Sequence, residues 1–149
     1  MNFVKITYEN VYLYKKQINK FFKDNIKDYH YFHPHKLTYK QLTEELQTHV
    51  LDTYIILIDT KIYAYGMLRG WQNGYEIPSL GIIVDKNERR KGYSNLMMEY
   101  LHEIAKKRGC NKVRLTVLKE NTVAISLYNK LGYIFNEKDE KNIVGIKIL

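Results

Sequence analysis

The sequence predicts an α/β domain of mixed type, with a twisted sheet of about seven strands and helices on both faces. Three observations carry this. Apolar segments alternate between strand-like and helix-like periods, giving the order β-α-α-β-β-β-α-β-α-β-β. The three strand patterns at residues 54–58, 62–68 and 75–84 follow one another across short polar turns, which predicts an antiparallel meander. Two later strands each lead into an amphipathic helix closed by a glycine, Gly109 or Gly132, where a left-handed residue ends a helix. At 149 residues the chain is read as one domain, residues 1–149.

The elements follow in order. Residues 2–7 read as a first strand. Residues 11–22 place Leu13, Ile18, Phe21 and Phe22 at roughly helical spacing, and residues 28–36 read as a loop. Residues 38–51 resume a helix, with Thr38 as N-cap and Gln41 at capping-box spacing. Strand 54–58 turns through Asp59-Thr60-Lys61 into strand 62–68. Trp71-Gln72-Asn73-Gly74 then turns the chain with an Asn-Gly pair, a strong hairpin signal. Strand 75–84 is interrupted at Pro78, and a bulge near residues 78–81 is expected.

Helix 95–108 carries Leu96, Met97, Leu101, Ile104 and Ala105 as its apolar stripe. Strand 113–118 alternates Val113, Leu115 and Val117 against Arg114, Thr116 and Leu118, so one face is less buried. Helix 122–131 and a final hairpin, residues 133–136 and 143–148 across the turn 137–142, complete the order.

Composition bounds the function. The chain is 45% hydrophobic and 27% charged, with 8 Gly and 2 Pro, as in an ordinary globular protein. One cysteine, Cys110, excludes an intrachain disulfide and fits a reducing compartment. No signal-like or membrane-spanning apolar run appears, so a cytoplasmic protein without membrane attachment is expected. The net charge of +8 predicts an anionic partner, but no nucleic-acid-binding element accompanies it, and nucleic acid is not expected.

The chemistry concentrates in two stretches. In the first, the apolar run Leu80–Val84 leads through Asp85–Lys91 to Gly92-Tyr93-Ser94 and a helix. The first turn of a helix offers unpaired N–H groups and partial positive charge to a phosphate. Gly92 leaves room for close approach, and Arg89, Arg90 and Lys91 add charge. Arg89-x-x-Gly92-x-Ser94 resembles the Arg/Gln-x-x-Gly-x-Gly/Ala element with which the GNAT superfamily of acetyl-CoA-dependent N-acetyltransferases holds the pyrophosphate of coenzyme A, Ser94 replacing Gly or Ala.

The second stretch, from Asn121 through Ala124, Leu127 and Tyr128 to Gly132 and Tyr133, resembles that superfamily's Asn-x-x-Ala-x-x-Leu-Tyr-x-x-x-Gly-Phe/Tyr signature. The element order is that of the GNAT fold over nearly the whole chain.

The resemblance implies acetyl-CoA as acetyl donor. Its pyrophosphate would lie on Arg89, Arg90, Lys91, Gly92, Tyr93 and Ser94. Its pantetheine would lie between parted strands along Ile82, Ile83 and Val84, with Asn121, Ala124 and Tyr128 on the other side. It implies Tyr128 as the acid for the departing thiolate and the Val84 amide as oxyanion donor. Tyr128 also reads as a ring packed on the sheet. Glu76, at the strand parity of Leu80, Ile82 and Val84, is read as the base or as a group binding the amine cation. Some relatives carry a carboxylate where this chain has Thr116.

The resemblance implies that His30, Tyr31 and Phe32 overhang the acceptor pocket, with Thr116 in it and Trp71 beside Arg69 at the same mouth. The loop of residues 29–35 also reads as packed on the surface, and Trp71 as a staple of its turn. The histidines of residues 30–35 lack enough converging ligands, and no metal is expected. The expected activity is acetyl transfer to a primary amine by direct attack. The acceptor is read as a small molecule such as an amino sugar, with a peptide or protein amine and a non-catalytic acyl-CoA-binding domain as the alternatives. A monomer or homodimer is expected.

Overall fold

The computed structural model describes residues 1–27, 31 and 34–149. One seven-stranded sheet runs in the order β1-β2-β3-β4-β5-β7-β6. Its strands are β1 (Asn2–Lys5), β2 (Thr53–Ile58), β3 (Ile62–Arg69), β4 (Ser79–Val84), β5 (Lys112–Leu118), β6 (Ile134–Glu137) and β7 (Asn142–Ile148). The helices are α1 (Lys15–Asp24), α2 (Tyr39–Thr48), α3 (Tyr93–Lys107) and α4 (Thr122–Lys130). Every neighbouring pair is antiparallel except β4 with β5.

Two apolar clusters cover the two faces of the sheet. Ile18, Phe21 and Phe22 of α1 with Leu42 and Leu46 of α2 pack on Tyr54, Ile56, Tyr65, Met67 and Ile83. On the other face Met97, Met98, Leu101 and Ala105 of α3 pack on Ile55, Leu57, Leu68, Leu80, Val84, Val113, Leu115 and Val117. Strand alternation sends successive residues to opposite clusters. Gly66 lets α3 settle against β3: a Cβ there would meet Met97 Sδ at 2.8 Å and Leu101 Cδ1 at 2.9 Å.

The structure departs from the sequence reading at several ends. Residues 11–22 divide into a 3-10 turn (Val11–Tyr14) and α1, which exposes Leu13 and buries Val11. Helix α2 stops at Thr48, leaving Val50 and Leu51 exposed. On α3 the buried stripe is Met97, Met98, Leu101, His102 and Ala105, and Leu96 is exposed. Those positions lie closest to the sheet on a helix that begins at Tyr93, two residues earlier than predicted.

The strand predicted over 75–84 begins only at Ser79, because residues 70–78 form a long connection and not a tight Asn-Gly hairpin. Gly70 and Gly74 hold left-handed backbone at φ 114° and 84° around a 3-10 turn (Trp71–Asn73). The expected bulge near residues 78–81 is absent: the β3–β4 register runs unbroken from Arg69–Ser79 to Ala64–Val84.

Candidate functional site

The site is a fork between β4 and β5. These parallel strands pair at one position, Ser79 opposite Arg114, where Arg114 N–H donates to the Pro78 carbonyl at 3.0 Å. Beyond that pair the ladder stops. Asp85 N–H donates to Tyr63 of β3 at 2.9 Å, so by strand alternation the N–H and C=O of Ile82 and Val84 face the gap. Ile83 has opposite parity and its side chain is buried on the α1/α2 face. The splay needs no bulge in β4, since the divergence follows directly from the loss of pairing to β5.

At the open end of the fork stands the start of α3. Gly92 is its N-cap, with φ 87° and no capping side chain. An added Cβ at Gly92 would meet nothing within 4 Å, so the glycine is there for its left-handed backbone. Arg90 also lies at positive φ, 64°. Arg89, Arg90 and Lys91 are exposed around this turn. Lys91 pairs with Glu88 at 2.9 Å, and Glu88 also pairs with Lys61 at 2.9 Å, so part of the predicted charge is neutralised within the loop. Ser94 is half-buried in the first turn, and Tyr93 packs its ring on Tyr63, centroids 5.3 Å apart.

Sequence reasoning missed what braces this loop. Asp85, buried, accepts from Asn87 N–H at 3.2 Å and pairs with Lys61 at 3.3 Å. Asn25, buried at the end of α1, accepts from Lys86 N–H at 2.8 Å and donates to Phe21 C=O. An Asn just after a helix and an Asp just after a strand are local signals, but nothing in the sequence joins positions 25 and 86.

On the β5 side, Asn121 caps α4: its Oδ1 accepts from Ala124 N–H at 3.3 Å. The amide NH2 of Asn121 is left for a ligand. Ala124 and Tyr128 are partly buried on the α3 side of the sheet. Tyr128 packs its ring on Tyr133, centroids 5.7 Å apart. Burial pushes its phenol up to about 12. Among the described residues no hydrogen bond engages that hydroxyl. Beneath it the Tyr133 hydroxyl and His102 Nε2 share a hydrogen bond of 2.7 Å. Burial, aided by Lys147, holds His102 down at about 4.

The other predicted residues fall in different places. Glu76 lies on an exposed bend outside β4, which removes the strand-parity argument for it as base. Thr116 is exposed on β5 on the face opposite α3, with Lys138 Nζ at 3.5 Å from its hydroxyl. Trp71 does not share a mouth with Arg69. It packs with the α3 cluster under Arg108, whose guanidinium lies 3.5 Å from the ring centroid. Arg69 turns to the other face, donating to Pro34 C=O at 3.1 Å and pairing with Glu45 at 3.4 Å.

His30 and Phe32 lie outside the described residues; Tyr31 is exposed in a turn. His35 is buried, with Nδ1–H donating to Lys36 C=O at 2.7 Å and Nε2 accepting from Tyr65 O–H at 2.8 Å. That is the bonding of a packed neutral imidazole, and burial lowers its pKa. Among the described residues no group of three or more metal-ligating side chains converges. No helix among them is long and apolar enough to cross a membrane.

Comparison with known proteins gives this geometry a setting. Residues 18–133 match the model of the Acetyltransferase (GNAT) family. The chain is 40% identical over 52 residues to the uncharacterized N-acetyltransferase YobR of Bacillus subtilis (strain 168); the match spans 35% of this chain and about a fifth (21%) of YobR. Among solved structures, the PaiA N-acetyltransferase of Thermoplasma acidophilum in complex with coenzyme A superposes with a TM-score of 0.74 at 14% identity, covering 99% of this chain and 98% of that one. The ribosomal-protein-S5-alanine acetyltransferase of Vibrio fischeri gives 0.77 at 14% identity, covering 98% and 91%. At such identities these two structures establish the fold.

Proposed function

The chain belongs to the GNAT family of acetyltransferases, and on that premise we propose that it transfers an acetyl group from acetyl-CoA to the primary amine of a small molecule. The observation that carries the proposal is the fork. Beyond the Ser79–Arg114 pair one edge of β4 is left without a strand partner, and it leads to an uncapped helix start ringed by basic side chains. A diphosphate fits the α3 start, where first-turn N–H groups, Arg89 and Arg90 supply donors and charge. Pantetheine fits the gap as an extra strand, bonded to Ile82 and Val84. The coenzyme-bound relative supports this placement in kind, since it shares the fold.

The chemistry uses the chain's own groups. The unprotonated amine attacks the thioester carbonyl carbon, and the carbonyl electrons move to oxygen. The Ile82 N–H, which also faces the gap, donates to that oxyanion in place of the Val84 N–H that the resemblance implied, because pantetheine running in from the α3 start reaches Val84 first. As the carbonyl re-forms, the C–S bond breaks and the thiolate takes the Tyr128 proton. A phenol pushed up to about 12 stays protonated at neutral pH, as an acid requires. The amine's proton leaves to water at the mouth of the fork, and Tyr128 is reprotonated from solvent.

Calorimetry tests the binding half and thiol-release assays the transfer half. Acetyl-CoA is expected to bind in the micromolar range, on the order of −8 kcal/mol, and an amine acceptor to release free coenzyme A. No heat of binding ends the proposal; binding without thiol release for any amine leaves an acyl-CoA-binding domain in its place.

A further inference from the structure

At the closed end of the fork, on the α1/α2 face, lies a polar pocket of about 200 Å³ lined by Asp52, Arg69, Asn73, Tyr75, Ser79 and Arg114. Four of these form one row across the sheet. Arg69 is opposite Ser79, and Ser79 is opposite Arg114. One residue before the Thr53–Leu68 pair, Asp52 falls beside Arg69. Residues opposite one another share a face, and strands lie roughly 4.8 Å apart. The two arginines therefore flank Ser79 with their Cα atoms about 10 Å apart.

The polar groups of this row are incompletely bonded. Asp52 is only 4% exposed; its Oδ1 accepts from Gln72 N–H at 3.1 Å, while its Oδ2 has no partner. Arg69 uses its two terminal nitrogens on Pro34 and Glu45, and its buried Nε has none. The Arg114 guanidinium is exposed and engages no side chain or carbonyl among the described residues. Buried polar groups are almost always satisfied, and both orphans belong to residues that line this one pocket, where the exposed Arg114 guanidinium is the donor open to a ligand.

We propose that this pocket seats the acceptor, and that the acceptor is a small amine carrying an anionic group, carboxylate or phosphate. The inference rests on the acetyl-transfer reading above. The anion lies over Ser79 between Arg69 and Arg114, where planar guanidinium donors suit either oxyanion. The reacting amine lies one two-residue step along the strands, beside Gly81 and Thr116, where the fork opens. That step is ~7 Å, and it sets the distance from anion to amine.

Matched probes test this. Thiol release is compared for 6-aminohexanoate against hexylamine and for 4-aminobutyl phosphate against 4-aminobutanol; the two pairs separate carboxylate from phosphate. An anionic member is expected to exceed its neutral partner by 10-fold or more in kcat/KM. Arg114→Gln is expected to abolish that preference through KM, with acetyl-CoA affinity by calorimetry held within twofold. Neutral partners used equally well, or a preference that survives Arg114→Gln, overturns the proposal.

A second measurement does not depend on turnover. Inorganic phosphate titrated into ¹⁵N-labelled protein, saturated with coenzyme A where it binds, is expected to shift the Ser79 amide in the wild type and not in Arg114→Gln. A wild-type Ser79 amide that does not move overturns the proposal. Failure of coenzyme A to bind sinks the acetyl-transfer reading separately, and the phosphate titration is then read on the free protein.

Discussion

Strand β4 has two edges of the same residues, and they are treated in opposite ways. Toward β3 it pairs at six positions, from Ser79 to Val84. Toward β5 it pairs at one. The far edge of β5 is fully zipped, with seven pairs to β7, so β5 is not a poor strand. Between these neighbouring strands of the sheet the ladder is cut short after one pair. Backbone N–H and C=O groups in a protein interior are rarely left unpaired, so the open edge is where the proposed coenzyme arm would complete the sheet.

The helix starts repeat the contrast. Thr38 caps α2 through Gln41 N–H at 3.1 Å, and Asn121 caps α4. Helix α3, which faces the open edge, has no side-chain cap.

The hardest blow to the open edge is to reverse the charge at its end. Arg89→Glu with Arg90→Glu is expected to weaken acetyl-CoA at least 100-fold by calorimetry. That corresponds to two charge-assisted contacts of about 1.5 kcal/mol each. Both side chains are exposed, so the melting temperature should stay within a few degrees. Unchanged affinity would put the pyrophosphate elsewhere.

Next in size is the acid. Tyr128→Phe is expected to lower kcat 10- to 100-fold, toward the lower end of what positioned proton transfer contributes, while acetyl-CoA affinity holds within twofold. The ring stays packed on Tyr133 and only the hydroxyl is lost, so stability should barely move. An unchanged kcat would leave Tyr128 a packing residue.

The sequence made the binding half of this comparison legible and the acceptor half obscure, for a physical reason. The proposed phosphate site is local: Arg89, Gly92 and Ser94 sit within one strand-to-helix turn, and the spacing of residues states the geometry. Asn121 and Tyr128 are legible in the same way on α4. The proposed acceptor pocket is not local. Asp52, Arg69, Ser79 and Arg114 come from four places in the chain and meet only through sheet register. Glu76 shows how register misleads when a boundary is misplaced: moving the start of β4 to Ser79 takes it off the strand entirely. Trp71 was read both ways, and its contact with Arg108, 37 positions on in the sequence, was visible in neither reading.

A milder test sharpens the contrast at the wall of the fork, where His102 and Tyr133 lie under Tyr128. His102 falls from an ordinary 6.5 to about 4 by burial, with Lys147 and Lys106 also opposing its charge and Glu103 favouring it. Between those values the unfolded chain takes up a proton that the folded chain refuses. Stability is therefore full above about pH 6.5 and declines as pH falls toward about 4. Buried His35 is shifted in the same direction, so His102→Gln should flatten only part of the decline. Urea midpoints at pH 7 and pH 5 give the comparison, and a wild-type midpoint that rises on acidification would contradict it.

The smallest effect separates structure from binding at a single side chain. Asn121 presents an oxygen to Ala124 N–H at 3.3 Å, a long bond, and Thr122 and Val123 beside it are exposed. Asn121→Ala should then cost about 0.5–1 kcal/mol, the low side of N-cap losses, or roughly 2 °C in melting temperature for a chain of this size. Asn121→Asp keeps the capping oxygen and adds negative charge at a helix N-terminus, which the dipole favours, so its melting temperature should equal or exceed the wild type. It also removes the NH2 group left for coenzyme. If that group donates to pantetheine, Asn121→Asp will raise the KM for acetyl-CoA a few-fold while leaving the fold intact. An unchanged KM would confine Asn121 to capping α4.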